Sequence, residues 1–335
     1  MLVRLSRPEW SRLPYSAPEI TDESKRNRTA SQTHLTEREH MTQDTDVTRN
    51  TGTLALHIGG SKFSAGVVAA DGTLLLRDRI PTPGRDPWTV VSGLVKRICA
   101  AADDIAIDGC GVSISGPVNV RKGTVAPLNI STWKDFPLAE SVGELTGTRT
   151  IIDNEAKALA RGEAWVGAAV GEADFLAVYI GSSVSAGLVS GGRVLDGNFG
   201  NAGFLGHMIV DPKGRECRCS GRGCLEAHVS ARAIESETGH PPAYASQALI
   251  ERNAVMVGRV IASTLAVLDV PKVLIGGSVA GAWGEPFMNA VEAEIRARAR
   301  LDFTREVEVV GAALGSYGVL VGAAALVRHR LEGES

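Results

Sequence analysis

Apolar positions in this 335-residue chain fall into short runs punctuated by glycine, and the period of the runs changes in a regular order. From residue 54, LALHI, SAGVVAA and TLLLRDRI are separated by Gly59-Gly60 and Asp71-Gly72, which predicts a β-meander with a hairpin turn at Asp71-Gly72. Residues 87–102 change to helical spacing, with Trp88, Val91, Leu94, Val95, Ile98 and Cys99 on one face. Strands are predicted at 109–114 and 150–152, and Asp153-Asn154 suits the start of a helix, where a short polar side chain accepts from free backbone N–H groups. Further on, 229–237 and 249–268 read as helices and 272–275 as a buried strand leading into GGSVA. A helix over 285–300, a strand over 307–310 and an Ala-rich helix over 317–330 close the pattern.

The pattern also repeats. LALHIGGSKFSAGVV from Leu54 is echoed by LAVYIGSSVSAGLV from Leu176, with Leu54, Ala55, Ile58 and Gly59 matching Leu176, Ala177, Ile180 and Gly181. A duplicated strand–turn–strand unit implies duplicated architecture, here two similar α/β domains facing one cleft. Residues 1–50 are polar, Thr-rich and mixed in charge, so an extension too poor in apolar surface to order itself is expected, and Met41 is an alternative start.

Composition narrows the functional classes. With 44% hydrophobic and 22% charged residues the chain has the balance of a soluble globular protein. A net charge of −3 without a basic stripe argues against a nucleic-acid partner. No run is long enough to span a membrane and the start has no signal-like apolar region, so the cytoplasm is the expected location.

Candidate chemistry is densest at HMIVDPKGRECRCSGRGCLE. His207 with Cys217, Cys219 and Cys224 supplies three sulfurs and one imidazole, a full tetrahedral set for structural Zn²⁺. Gly221 and Gly223 let the short loop fold back on a common metal. A chance cluster or a disulfide are the alternatives, and the latter lacks a secretory context.

From Leu54 to Arg330 these pieces resemble the ROK family of sugar kinases and sugar-responsive repressors, most specifically in the His207, Cys217, Cys219, Cys224 and Glu226 signature. The resemblance implies an actin/hexokinase-like (ribonuclease H-like) α/β fold in which sugar and nucleotide meet in the cleft. It places an N-terminal domain at 51–152, a second at 153–316 and a C-terminal helix at 317–335 returning to the first. The repressors' DNA-binding helix-turn-helix has no counterpart here. A homodimer or homotetramer is expected.

Carried over by position, the resemblance makes Glu155 of the Asn154-Glu155 pair the catalytic base, where the family has Asp; the preceding Asp153 is the alternative. The first phosphate motif, normally Asp-Ile-Gly-Gly-Thr-Lys, is His57-Ile58-Gly59-Gly60-Ser61-Lys62, so a Mg²⁺-holding carboxylate is replaced by imidazole. The second, normally Gly-Thr-Gly, is Gly181-Ser182-Ser183, continuing through Ser185. Gly276-Gly277 matches an adenosine-side turn. The implied sugar contacts are Asn129, Asn154, Glu155, His207 and Glu226, with Phe204 where the family has Glu. Two functions follow: a kinase for a hexose, amino sugar or cyclitol using ATP and Mg²⁺, or a divergent protein that binds a sugar or sugar phosphate without transferring phosphate.

Overall fold

The computed structural model describes residues 3–4 and 50–331. The expected disorder of the extension and the question of Met41 fall on residues outside these, apart from the strand residues noted next.

The chain opens with β1 (Val3–Arg4), which pairs antiparallel with residues 76 and 77, contrary to a wholly unordered extension. The meander follows as β2 (Asn50–Ile58), β3 (Lys62–Ala69) and β4 (Leu74–Pro81). Its second turn closes through Ala69 N–H to Thr73 O at 2.8 Å, with Gly72 at φ 85°, a conformation that suits glycine. Then come α1 (Pro87–Ala101), β5 (Ile105–Ile114), a small ribbon of β6 (Val118–Asn119) and β7 (Thr124–Val125), α2 (Leu138–Thr146) and β8 (Thr150–Asn154). Helix α3 (Glu155–Val166) leads directly into β9 (Phe175–Ile180), β10 (Val184–Ser190) and β11 (Arg193–Val194). The rest is α4 (Glu226–Val229), α5 (Ala231–Thr238), α6 (Gln247–Leu268), β12 (Lys272–Gly276), α7 (Ser278–Arg298), β13 (Glu308–Gly311) and α8 (Gly318–Leu331).

Setting the short β1 aside, the two main sheets have one topology. Their orders are β4-β3-β2-β5-β8 and β11-β10-β9-β12-β13, three antiparallel strands in series followed by two parallel ones. Tight turns join neighbours within each meander, whereas the parallel pairs need helical crossovers. The repeat read in the sequence is this duplication: Leu54, Ala55 and Ile58 of β2 and Leu176, Ala177 and Ile180 of β9 hold equivalent buried places. The fold is the actin/hexokinase-like one.

Helices α3 and α8 lie against each other through small residues. A Cβ on Gly322 would sit 1.8 Å from Ala158 O, and one on Gly111 of β5 would sit 1.7 Å from Ala323 O, so neither site admits a side chain without a backbone shift. The buried Glu163 carboxylate fixes the segment before α8 by accepting from Ala313 N–H at 3.1 Å and Leu314 N–H at 2.9 Å.

Two predicted helices differ. The helix expected over 285–300 begins at Ser278, with a break at Gly284 (φ 58°, ψ −144°) just before Pro286. The helix expected over 229–237 is cut at Ser230, whose extended backbone and side chain cap α5 by accepting from Ala233 N–H. Helix α2 was not predicted.

Candidate functional site

Three loops converge between the sheets: the β2–β3 turn, the β9–β10 turn and the zinc-type loop before α4. In the last, the ligand atoms of His207, Cys217, Cys219 and Cys224 all lie within 4.8 Å of one another. Cys219 Sγ to Cys224 Sγ and Cys217 Sγ to His207 Nδ1 are both 3.7 Å. Zn–S bonds of about 2.3 Å in a tetrahedron give edges of about 3.8 Å, so the set fits Zn²⁺. The positive φ of Ser220 (68°) and Gly223 (77°) turns the chain back to bring Cys219 and Cys224 together.

Two residues past Cys224, Glu226 opens α4 and accepts from Val184 N–H at 2.8 Å, tying the zinc loop to the second turn. Asn129, Asn154, Phe204, His207 and Glu226 gather round one cavity of about 10 Å³, room for about one water. Phe204 is the reason. Its ring stacks on His207 (centroids 5.6 Å, planes 18° apart) and presses on Gly116, where an added Cβ would lie 2.5 Å from Phe204 Cζ. The Asn154 Nδ2 and Ser185 Oγ atoms at this cavity are buried without hydrogen-bond partners. Beside it, sharing Asn129 and Glu226, lies a 570 Å³ cavity with Arg218, Arg232, Ser182 and Ser230 in its wall.

Glu155 is the first residue of α3 and fully buried. Ser183 Oγ donates to its Oε1 and Ser115 Oγ to its Oε2 at 3.3 Å. Burial raises its pKa to about 7, with a further push from Glu226, against the lowering by Ser183 and Ser115. Asp153, the alternative base, is instead ion-paired at 2.7 Å with the buried Lys157, which also meets Asp196 at 2.6 Å.

His57 Nε2 stands 4.0 Å from Glu155 Oε2, and its Nδ1 is 3.1 Å from Ser113 Oγ. Burial first, then the charge of Lys62, drive its pKa down to about 3, so the imidazole is neutral and the approach to Glu155 is no ion pair. Tyr179, the equivalent position of the second repeat, meets the His57 ring edge-on at 6.5 Å.

Ser61, Lys62, Ser182, Gly276 and Gly277 line a large cavity of about 970 Å³. Gly59, Gly60 and Gly181 do not border it, although the first turn is braced to the second by Gly60 N–H donating to Ser182 Oγ at 3.0 Å. Ser183 faces Glu155 and the small cavity instead. Residues the sequence reading passed over are Ser113 and Ser115, which bind His57 and Glu155, and Arg77, Arg79 and Arg232 at the cavities. Only the RDR alternation in β4 signalled the arginine pair.

Mg²⁺, expected alongside ATP, requires hard oxygen ligands. Here position 57 offers a neutral nitrogen, both Glu155 oxygens accept from serines, and the large cavity is lined by Lys62, Arg77 and Arg79 beside two carboxylates, Asp78, taken up by Arg97, and the exposed Glu285. At the first turn this donor set does not suit Mg²⁺.

The ROK family profile matches residues 53–330. The N-acetylmannosamine kinase of Escherichia coli O157:H7 is 34% identical over 255 residues, covering 69% of this chain and 84% of that protein. The glucokinase of Thermotoga maritima is 27% identical over 84% of this chain and 98% of its own length. Among solved structures, the ROK family glucokinase from Streptomyces griseus in complex with glucose and AMPPNP superposes with a TM-score of 0.75 at 26% identity, covering 83% of this chain and 99% of that one. Among the described residues no helix is long and apolar enough to cross a membrane.

Proposed function

The chain belongs to the ROK family, and from that premise we propose that it transfers a phosphoryl group from ATP to a hydroxyl of a hexose, an amino sugar or a sugar-like cyclitol. The observation that carries this reading is Glu155: a buried carboxylate at a helix start, held by two serine hydroxyls, with a pKa of about 7. A base with that pKa is half deprotonated at neutral pH and well matched to taking a proton from a hydroxyl. The proton passes to Glu155, the hydroxyl oxygen bonds to the γ-phosphorus, and the bond to the bridging oxygen breaks with its electrons leaving on ADP.

Asn129, Asn154, His207 and Glu226 would hold the sugar, with Phe204 limiting what fits. Asn154 Nδ2 and Ser185 Oγ await a ligand's polar atoms. Ser61 and Lys62 of the first turn, Ser182 of the second and Gly276-Gly277, which line the large cavity, would hold the nucleotide. Zinc, when bound by His207 and the three cysteines, supplies rigidity to the loop that carries Glu226.

The test is ADP release by the zinc-loaded protein with ATP and a panel of aldohexoses, 2-acetamido sugars and cyclitols, with Glu155→Gln as control. Turnover on one acceptor, lost in Glu155→Gln, supports the kinase. The second reading, a sugar-binding protein without transfer, is favoured by the imidazole at position 57 and by the closed cavity under Phe204. A sugar or sugar phosphate that raises the melting temperature, with no ADP released, decides for it.

A further inference from the structure

In β3 and β4, Ser64 stands opposite Arg79 and Gly66 opposite Arg77. Side chains alternate along a strand, so Lys62, Arg77 and Arg79 share one sheet face, and all three line the 970 Å³ cavity. Asp78, between the two arginines, is bonded to Arg97 at 2.8 Å and accepts from the Arg79 backbone N–H. Arg77 is steadied by the Tyr317 phenol and lies 4.7 Å over that ring. None of the three cations forms an ion pair with a carboxylate among the described residues. Lys62 is held below its ordinary pKa by burial first, then by Arg79 and Arg77, as expected for cations crowded without an anion.

The same sheet row runs from Arg79 through Ser64, His57 and Ser113 to Asp153, whose carboxylate is ion-paired with Lys157 at 2.7 Å. Across the cavity stand Gly276, Gly277 and Ser278, ahead of the short first stretch of α7 that ends at the Gly284 break. Of the carboxylates that line the cavity, Asp78 is taken up by Arg97 and Glu285 is exposed, so the charge of the wall formed by β3 and β4 is set by Lys62, Arg77 and Arg79.

We propose, on the footing of the kinase reading, that this cavity seats the polyphosphate chain of its donor directly on Lys62, Arg77 and Arg79, with no divalent cation between. The chemistry recognised is a condensed phosphate, whether a nucleoside triphosphate or an inorganic polyphosphate. Three cations do the charge neutralisation that a metal would otherwise do.

Calorimetric titration of the full-length, zinc-loaded protein tests this, in buffer freed of divalent ions by chelating resin and again with millimolar Mg²⁺; zinc content is checked before and after. ATP, tripolyphosphate and AMP are the titrants. The expected result is an ATP Kd that changes less than about threefold when Mg²⁺ is added. The double variant Arg77→Ala/Arg79→Ala should weaken metal-free binding about tenfold or more, and Arg79→Gln alone should give a smaller loss with the melting temperature kept. His57→Asp should make ATP binding Mg²⁺-dependent. Tripolyphosphate binding as tightly as ATP identifies inorganic polyphosphate as the source, while binding that also needs the adenosine moiety identifies a nucleotide. ATP binding that needs Mg²⁺ in the wild type, no binding of either polyphosphate, or no loss in the double variant overturns the proposal. Mg²⁺-dependent binding together with sugar phosphorylation overturns this inference alone. Metal-free binding without transfer to any acceptor keeps it and overturns the kinase reading.

Discussion

The β2–β3 and β9–β10 hairpins occupy the same place in two sheets of the same order, yet their turns face opposite charges. The first leads into Lys62, beside Arg77 and Arg79. The second leads into Val184, whose N–H holds Glu226, and contributes Ser183 to Glu155. Duplication supplied one backbone twice, and the residues around each turn set one copy beside a cationic wall and made the other a carboxylate cradle. A cleft with such ends suits a reaction that draws a proton from an acceptor on one side and holds phosphate on the other.

The largest effect should come from breaking the carboxylate side at its support. Cys224→Ser, checked by zinc content and thermal melting, is expected to lose the metal and about 4 kcal/mol of stability, because binding energy at a structural site is folding energy. Sugar binding should fail while polyphosphate binding persists, since Lys62, Arg77 and Arg79 lie on the other sheet. Equal loss of both would mean that the two sides are not separable.

Next is the carboxylate itself. Glu155→Gln should lower kcat about a hundredfold or more while leaving the polyphosphate Kd unchanged, because the amide cannot accept the proton. The same group makes a prediction about stability. Its pKa rises from 4.5 to about 7 on folding, so the stability it allows is full below pH 4.5 and is lost as pH rises through 7. The loss is about 3 kcal/mol, absent in Glu155→Gln, and visible in urea melts at pH 5 and pH 8. His57 acts the other way: its pKa drops from 6.5 to about 3, so its contribution is lost as pH falls below 6.5. A melt of His57→Gln separates the two.

The smallest effect is expected at Phe204. Phe204→Ala should cost about 1–2 kcal/mol, less than a fully buried Phe, since the ring is only partly covered. It should enlarge the 10 Å³ cavity and relax acceptor selectivity, seen as lower KM values for bulkier sugars. Unchanged KM values across the panel would remove Phe204 from the sugar site.

Signals that are local in the chain were legible in the sequence. The meander, each copy of the repeat and the zinc set lie within short stretches of chain, where spacing alone dictates geometry. What depends on pairing was not. Arg77 and Arg79 gain meaning only because β4 lies beside β3, and nothing in RDR shows that Lys62 stands with them. Nor does the substitution at Phe204 reveal how little space it leaves, because Gly116, against which the ring presses, comes from a distant part of the chain. The helix expected over 285–300 starts earlier, at Ser278, because the chain resumes helical geometry after the Gly284 break.

The most direct measurement is the pH–rate profile of ATP-dependent sugar phosphorylation. Glu155 must be ionised to accept a proton, so kcat should rise with pH through a midpoint of about 7, and Glu155→Gln should be slow and lack that limb. A rate that persists in Glu155→Gln with the same midpoint would contradict the assignment of the base and, with it, the account of the second hairpin as the acceptor side.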